Sequence, residues 1–119
     1  MPALTSAPQD LKIRTRDFAL RVIRLYASLP RTPVAQVIGK QLLRSGTSVG
    51  ANYREGTRAR SHVEYGAKLN LSLMELEETL YWLELLEASA LKNGEVSRLK
   101  SEVGELSAIL VTVIKRFKP

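Results

Sequence analysis

The chain of 119 residues has no cysteine, a single histidine and only two aspartates, Asp10 and Asp17. Absent cysteine excludes disulfide frameworks and thiolate metal sites, and with no apolar run behind a basic start it points to a cytoplasmic protein. No Ser/His/Asp set can be assembled, and His62 stands at the expected start of a helix, where a surface or packing role fits better than general-base work. Glu75, Glu77 and Glu78 resemble a carboxylate cluster, yet a ferritin-like metal site uses Glu-x-x-His pairs on facing helices. Glu64, Glu75 and Glu78 have no histidine three residues onward. We therefore expect no catalytic residue, no metal and no cofactor. Long apolar runs are also missing: stretches such as 108–111 fall far short of the roughly 20 residues a bilayer crossing needs, so no membrane partner is expected. No strand pattern of useful length, internal repeat or low-complexity segment occurs.

What is present is positive charge, unevenly placed. Residues 1–60 hold 11 Lys/Arg against 3 Asp/Glu, or +8; residues 61–119 hold 7 against 9, or −2, and the sum is the net +6. The basic half favours polyanionic partners, nucleic acid first, with anionic lipid or an acidic protein behind it. The plain alternative is a set of arginines solvated on helix surfaces.

Helical periodicity accounts for nearly the whole chain. Residues 1–9, with two prolines and no periodicity, read as a loose arm ahead of a bundle domain over 10–119. From Asp10, read as an N-cap, Leu11, Phe18, Val22, Leu25, Tyr26 and Leu29 recur at helical spacing, and this first helix ends before Pro30. A second helix is expected from about Val34 to about Arg60. Ser61 and Glu64 have the form of a capping box opening a third helix to about Ala90, and Asn93-Gly94 closes the turn after it. Val96, Leu99, Val103, Leu106, Leu110, Val113 and Phe117 then make a heptad seam on a fourth. Short connectors predict an all-α, antiparallel up-down-up-down four-helix bundle.

The second helix is unusual. Glycines weaken a helix by roughly 1 kcal/mol each relative to alanine, yet Gly39, Gly46, Gly50 and Gly56 lie in it. They share one side with Ala35, Ile38, Leu42, Val49 and Tyr53, which predicts close packing along a small-residue groove. Lys40, Arg44, Thr47, Arg54 and Arg58 fall on the other side as a cationic ridge. The GTSVG stretch lacks the spacing and the preceding strand of a phosphate loop, so Ser45, Thr47 and Ser48 are expected to bond helix backbone or a neighbouring helix. A minor reading makes them phosphate donors beside Arg44.

The third helix has two apolar sides. Tyr65, Leu69, Leu73, Leu76, Leu80 and Leu83 form one stripe; Ala67, Leu71, Met74, Tyr81 and Leu85 form a second, with Glu78 inside it. A monomeric bundle needs one, and a large apolar patch in water is rare, so self-association is expected, with Glu78 pairing an arginine of a neighbouring subunit. A helix lying between two others of its own bundle is the competing explanation.

Read together, FALRVIRLYASLP, QLLRSGTSVGANYREGTRARS and KLNLSLMELEETLYWLELL resemble the four-helix-bundle family associated with intervening sequences in bacterial large-subunit ribosomal RNA genes. The most specific parts are RSGTS-x-GAN-x-RE at Arg44–Glu55, followed by Arg60 and Ser61, and E-x-EET-x-YWL at Glu75–Leu83. Many members have phenylalanine where Tyr65 stands here, followed by Gly66, a difference of packing. The resemblance implies a homopentamer around a central channel and no enzyme activity. A related branch, the accessory variability determinant of diversity-generating retroelements, binds reverse transcriptase and nucleic acid through basic surfaces. The combined expectation is a homo-oligomer that binds nucleic acid, RNA ahead of DNA, with Lys40, Arg44, Arg54 and Arg58 as phosphate contacts and Arg14, Arg21 and Arg24 extending the surface. The alternative is an adaptor whose basic face engages an acidic protein such as a polymerase. Seven aromatics, most at core positions, leave few platforms for base stacking, so weakly specific phosphate binding fits better.

Overall fold

A computed structural model describes residues 2–89, 91 and 94–116, with side chains from residue 11 onward. Among these residues the chain forms α1 (Pro2–Ser28), α2 (Pro33–Gly56), α3 (His62–Ala88) and α4 (Gly94–Lys115). Each helix packs on its neighbours in sequence, α1 closes the ring on α4, and the diagonal pairs do not approach. The resulting antiparallel bundle measures 46 × 24 × 20 Å.

Local chemistry explains most boundaries. Thr32 caps α2, its hydroxyl accepting from the Ala35 N–H at 3.3 Å, and Pro33 follows where its missing N–H costs nothing. Ser61 caps α3 by accepting from the Glu64 N–H at 3.1 Å, while the Glu64 carboxylate accepts from the Arg60 N–H at 3.2 Å, one residue earlier than an ideal capping box. Two expectations need correction. The helix start expected at Asp10 lies at Pro2, so residues 2–9, expected as an arm, are part of α1. α2 stops at Gly56, four residues short of Arg60, because the chain tightens there: Thr57 N bonds Tyr53 O, and Arg58 N and Ala59 N bond carbonyls only three residues back. Asn93 and Phe117 lie outside the described residues.

The core follows the periodicity. Leu11, Phe18, Val22 and Leu25 from α1 share one buried cluster with the heptad seam of α4, Val96, Leu99, Val103, Leu106, Leu110 and Val113. On α3, Leu69, Leu76 and Leu83 are buried and Tyr65, Leu73 and Leu80 are partly so. Three of the four groove glycines of α2, Gly39, Gly46 and Gly50, face α1, whereas Gly56 faces Lys68 and Tyr65 of α3. A Cβ on Gly39 would stand 2.8 Å from the Tyr26 ring, one on Gly46 2.9 Å from both Val22 methyls, and one on Gly50 3.1 Å from the Thr15 hydroxyl. The descending order Tyr26, Val22, Thr15 shows the two helices running antiparallel with their backbones close together.

Candidate nucleic-acid interface and exposed apolar face

The arginines of the basic half divide into two kinds. Arg14 forks onto Glu102 of α4, at 3.2 Å through Nε and 2.7 Å through Nη2, and reaches Glu105 at 3.2 Å. Hydrogen bonding to Glu102 first, then Glu105, holds its pKa above the ordinary value despite partial burial. Arg21 donates to Glu95 at 2.8 Å, and Arg98 approaches the same carboxylate at 2.9 Å. Burial pushes the Glu95 carboxyl up, but the two arginines outweigh it and the net shift is downward. Arg44 on α2 bonds Glu78 of α3 closely and lies 3.4 Å from Glu75. Glu78 also accepts from the Trp82 indole at 3.0 Å, so Arg44 first and Trp82 second hold its carboxyl below the usual range. The arginine expected to reach Glu78 from a neighbouring subunit is thus supplied by its own chain.

Arg24, Lys40, Arg54 and Arg58 make no ion pair among the described residues, and all four are exposed. Lys12 belongs with them, although periodicity alone did not single it out. These cations do not form one ridge. Arg58 lies in the turn after α2, and with Lys12, Arg54, Glu55 and Thr57 it lines an open depression of about 200 Å³. Arg24 borders a separate depression toward the other end of α1, with Arg21, Ser28 and Glu95.

The hydroxyls behave as helix and interhelix bonding groups. Thr47 donates to Leu43 O and Ser48 to Arg44 O, both at 2.7 Å. Ser45 and Thr79 are buried and hydrogen-bonded at 2.9 Å, and Ser72 donates to Val49 O across the α2–α3 contact at 2.8 Å. Ser45 was expected to bond its own helix or a neighbouring one, but its partner Thr79 and the second hydroxyl, Ser72, were not singled out in the sequence. Their only signal was helical spacing with the buried leucines of α3, and small hydroxyls at such positions read equally well as solvated.

The second stripe of α3 is open to solvent: Leu71 is 41%, Met74 55% and Tyr81 52% exposed, Ala67 is exposed and Leu85 partly so. α3 does lie against two helices of its own bundle, α2 and α4, but neither covers Leu71, Met74 or Tyr81, so that position does not account for the second stripe. Val34 and Val37 on α2 are exposed as well. Tyr81 packs edge-on to Trp82 with ring centroids 5.0 Å apart. Of the other aromatics, Phe18 and Tyr53 are buried, and burial pushes the Tyr53 phenol up, helped by the neighbouring Tyr65. Only Tyr81 among the described aromatics offers an exposed ring.

Comparison with known proteins agrees with this architecture. The family model described as 23S rRNA-intervening sequence protein matches residues 9–112. A crystal structure of a protein of unknown function from the S23 ribosomal protein family of Bacteroides thetaiotaomicron VPI-5482 superposes with a TM-score of 0.85 at 37% identity, covering 92% of this chain and 98% of that one. Among curated proteins none matches.

Proposed function

Because the chain belongs to the 23S rRNA-intervening sequence protein family, we propose that it is a non-enzymatic, self-associating protein that binds nucleic acid, RNA ahead of DNA, through phosphate contacts. The observation that carries this reading is that Arg24, Lys40, Arg54 and Arg58, with Lys12, are among the cations that have no carboxylate partner among the described residues and stand exposed on or just after α1 and α2. Arg14, Arg21 and Arg44, already held by glutamates of α3 and α4, are bundle residues in this reading and not phosphate contacts. The exposed stripe of α3 supplies the self-association surface, since burying it against another copy removes apolar area from water. The association of the family with 23S rRNA intervening sequences makes RNA the first ligand to test.

A salt titration of RNA binding by fluorescence anisotropy, on wild type and on Arg54→Glu with Arg58→Glu, tests the reading. Phosphate neutralisation gives a steep log–log slope; the double variant should lose on the order of a hundredfold in affinity at low salt and about two from the slope. Its mass and melting temperature should stay near wild type. Unchanged affinity in an intact assembly would remove this surface from the reading.

A further inference from the structure

We infer that Lys12, Arg54 and Arg58 form a site for a phosphate monoester, the phosphorylated end of a nucleic-acid strand, so that the protein prefers strand ends to strand interiors. The inference rests on the nucleic-acid reading above and goes beyond it by naming the ligand group. The three side chains come from α1, from the last turn of α2 and from the turn after it, and they line the same depression of about 200 Å³. The antiparallel register that sets Thr15 against Gly50 brings Lys12 to the same end of the bundle as Arg54.

Charge at this spot is unbalanced. The lining holds three cations, Lys12, Arg54 and Arg58, against the single carboxylate of Glu55, an excess of two, and Glu55 is itself engaged by Lys68 at 2.8 Å, with Glu64 also acting on that lysine. A cation in the last turn of a helix is modestly favoured by the helix dipole, which accounts for Arg54 but not for Lys12 on another helix or Arg58 beyond the end. Thr57 donates its hydroxyl proton to Arg54 O at 2.7 Å, so the donors turned toward an anion are the three cations. A monoester carries close to two negative charges at neutral pH, a backbone diester one. Two guanidinium forks and a lysine match the dianion in charge and in donor number.

The surroundings argue against a backbone track. From Arg54 back along α2 the next unpaired cation is Lys40, 14 residues away or roughly 21 Å along the axis. Arg44, between them, is tied to Glu75 and Glu78. The cations gather at an end instead of spacing themselves along a strand.

The test compares one oligoribonucleotide bearing a 5′-phosphate, a 3′-phosphate or hydroxyls at both ends, bound to the full chain at fixed salt. One phosphorylated form should bind about tenfold tighter than the hydroxyl form, and which form does so identifies the end recognised. Lys12→Ala should abolish most of that preference, and inorganic phosphate should compete with the preferred strand. Should Lys12→Ala fail to fold, Arg58→Gln, in an exposed turn, replaces it. Equal binding of all three strands would overturn the site while leaving the proposed function standing. Binding of none would remove both, and a preference that survives both substitutions would place the end elsewhere.

Discussion

Gly46→Ala separates helix propensity from packing, because the two predict opposite signs. Alanine is favoured over glycine inside a helix by about 0.8–1.0 kcal/mol. At Gly46, however, the new Cβ would stand 2.9 Å from both methyls of Val22, a fully buried residue. That is roughly 0.6 to 1.1 Å inside the usual carbon–carbon spacing of 3.5–4.0 Å. Valine in a helix has essentially one χ1 rotamer, so its methyls cannot swing away and α1 and α2 must separate. Overpacking of this kind costs about 1–3 kcal/mol, which against the propensity gain leaves a net destabilisation of up to about 2 kcal/mol. For a domain of this size the melting temperature should fall by up to about 10 °C, measured by circular dichroism at one fixed protein concentration because assembly couples to stability. Gly104→Ala is the internal control: it lies on the exposed side of α4, nothing stands within 4 Å of its added Cβ, and it should raise the melting temperature. In a Val22→Ala background, Gly46→Ala should become neutral or stabilising, a coupling of about 1–3 kcal/mol. If Gly46→Ala alone stabilised as Gly104→Ala does, the close-packing account of the groove would be wrong.

Other expectations concern surfaces. Light scattering should give several times the 13.3 kDa chain mass, and Met74→Glu should lower it without loss of helicity; a monodisperse monomer at tens of micromolar would refute the role given to the outer face of α3. Arg44→Ala should leave RNA affinity near wild type while costing up to about 1 kcal/mol of stability, since the pair is half exposed; an affinity loss like that of Arg54→Glu with Arg58→Glu would put Arg44 in the ligand surface. Glu78, held below its ordinary pKa by Arg44 and Trp82, contributes stability that is complete above the unfolded value of about 4.3 and is lost as pH falls through the lower folded value. Trp82, the single tryptophan, should therefore change emission only below about pH 4.3; a transition centred at or above that value contradicts the assignment.

Much of this was legible in sequence because periodicity reports which side of a helix is buried. The α4 seam, the α2 groove and the first stripe of α3 are all statements of that kind, and each is buried in the bundle, whereas the second stripe of α3 lies on its surface. Periodicity does not report which helix lies on a given side, or at what register. Arg14 meets a glutamate 88 positions later, and no rule of local spacing distinguishes it from Lys40, which meets none among the described residues. The same limit hid Ser72 and Thr79, the α3 side of the hydroxyl seam, where small polar residues are buried only because a neighbouring helix comes close enough to bond them. Helix ends were read well where a side chain caps them, at Thr32 and Ser61, and poorly at Gly56, where backbone bonds alone tighten the last turn.

The four sides of the ring are not equally firm. α1 meets α2 through glycines and α2 meets α3 through buried hydroxyls, but among the described residues the α1–α4 contact is the slightest of the four and is bridged by Arg14–Glu102 and Arg21–Glu95. Ion pairs at a partly wetted seam weaken with ionic strength, whereas packed backbones do not. The molecule therefore has a grain: it should part first along α1–α4, as a sub-global opening that leaves the α2–α3 hairpin closed. Exchange of amide hydrogens would then run fastest in the two terminal helices and quicken there as salt is added, so arginines that look like ligand contacts in sequence set the order in which the bundle comes apart.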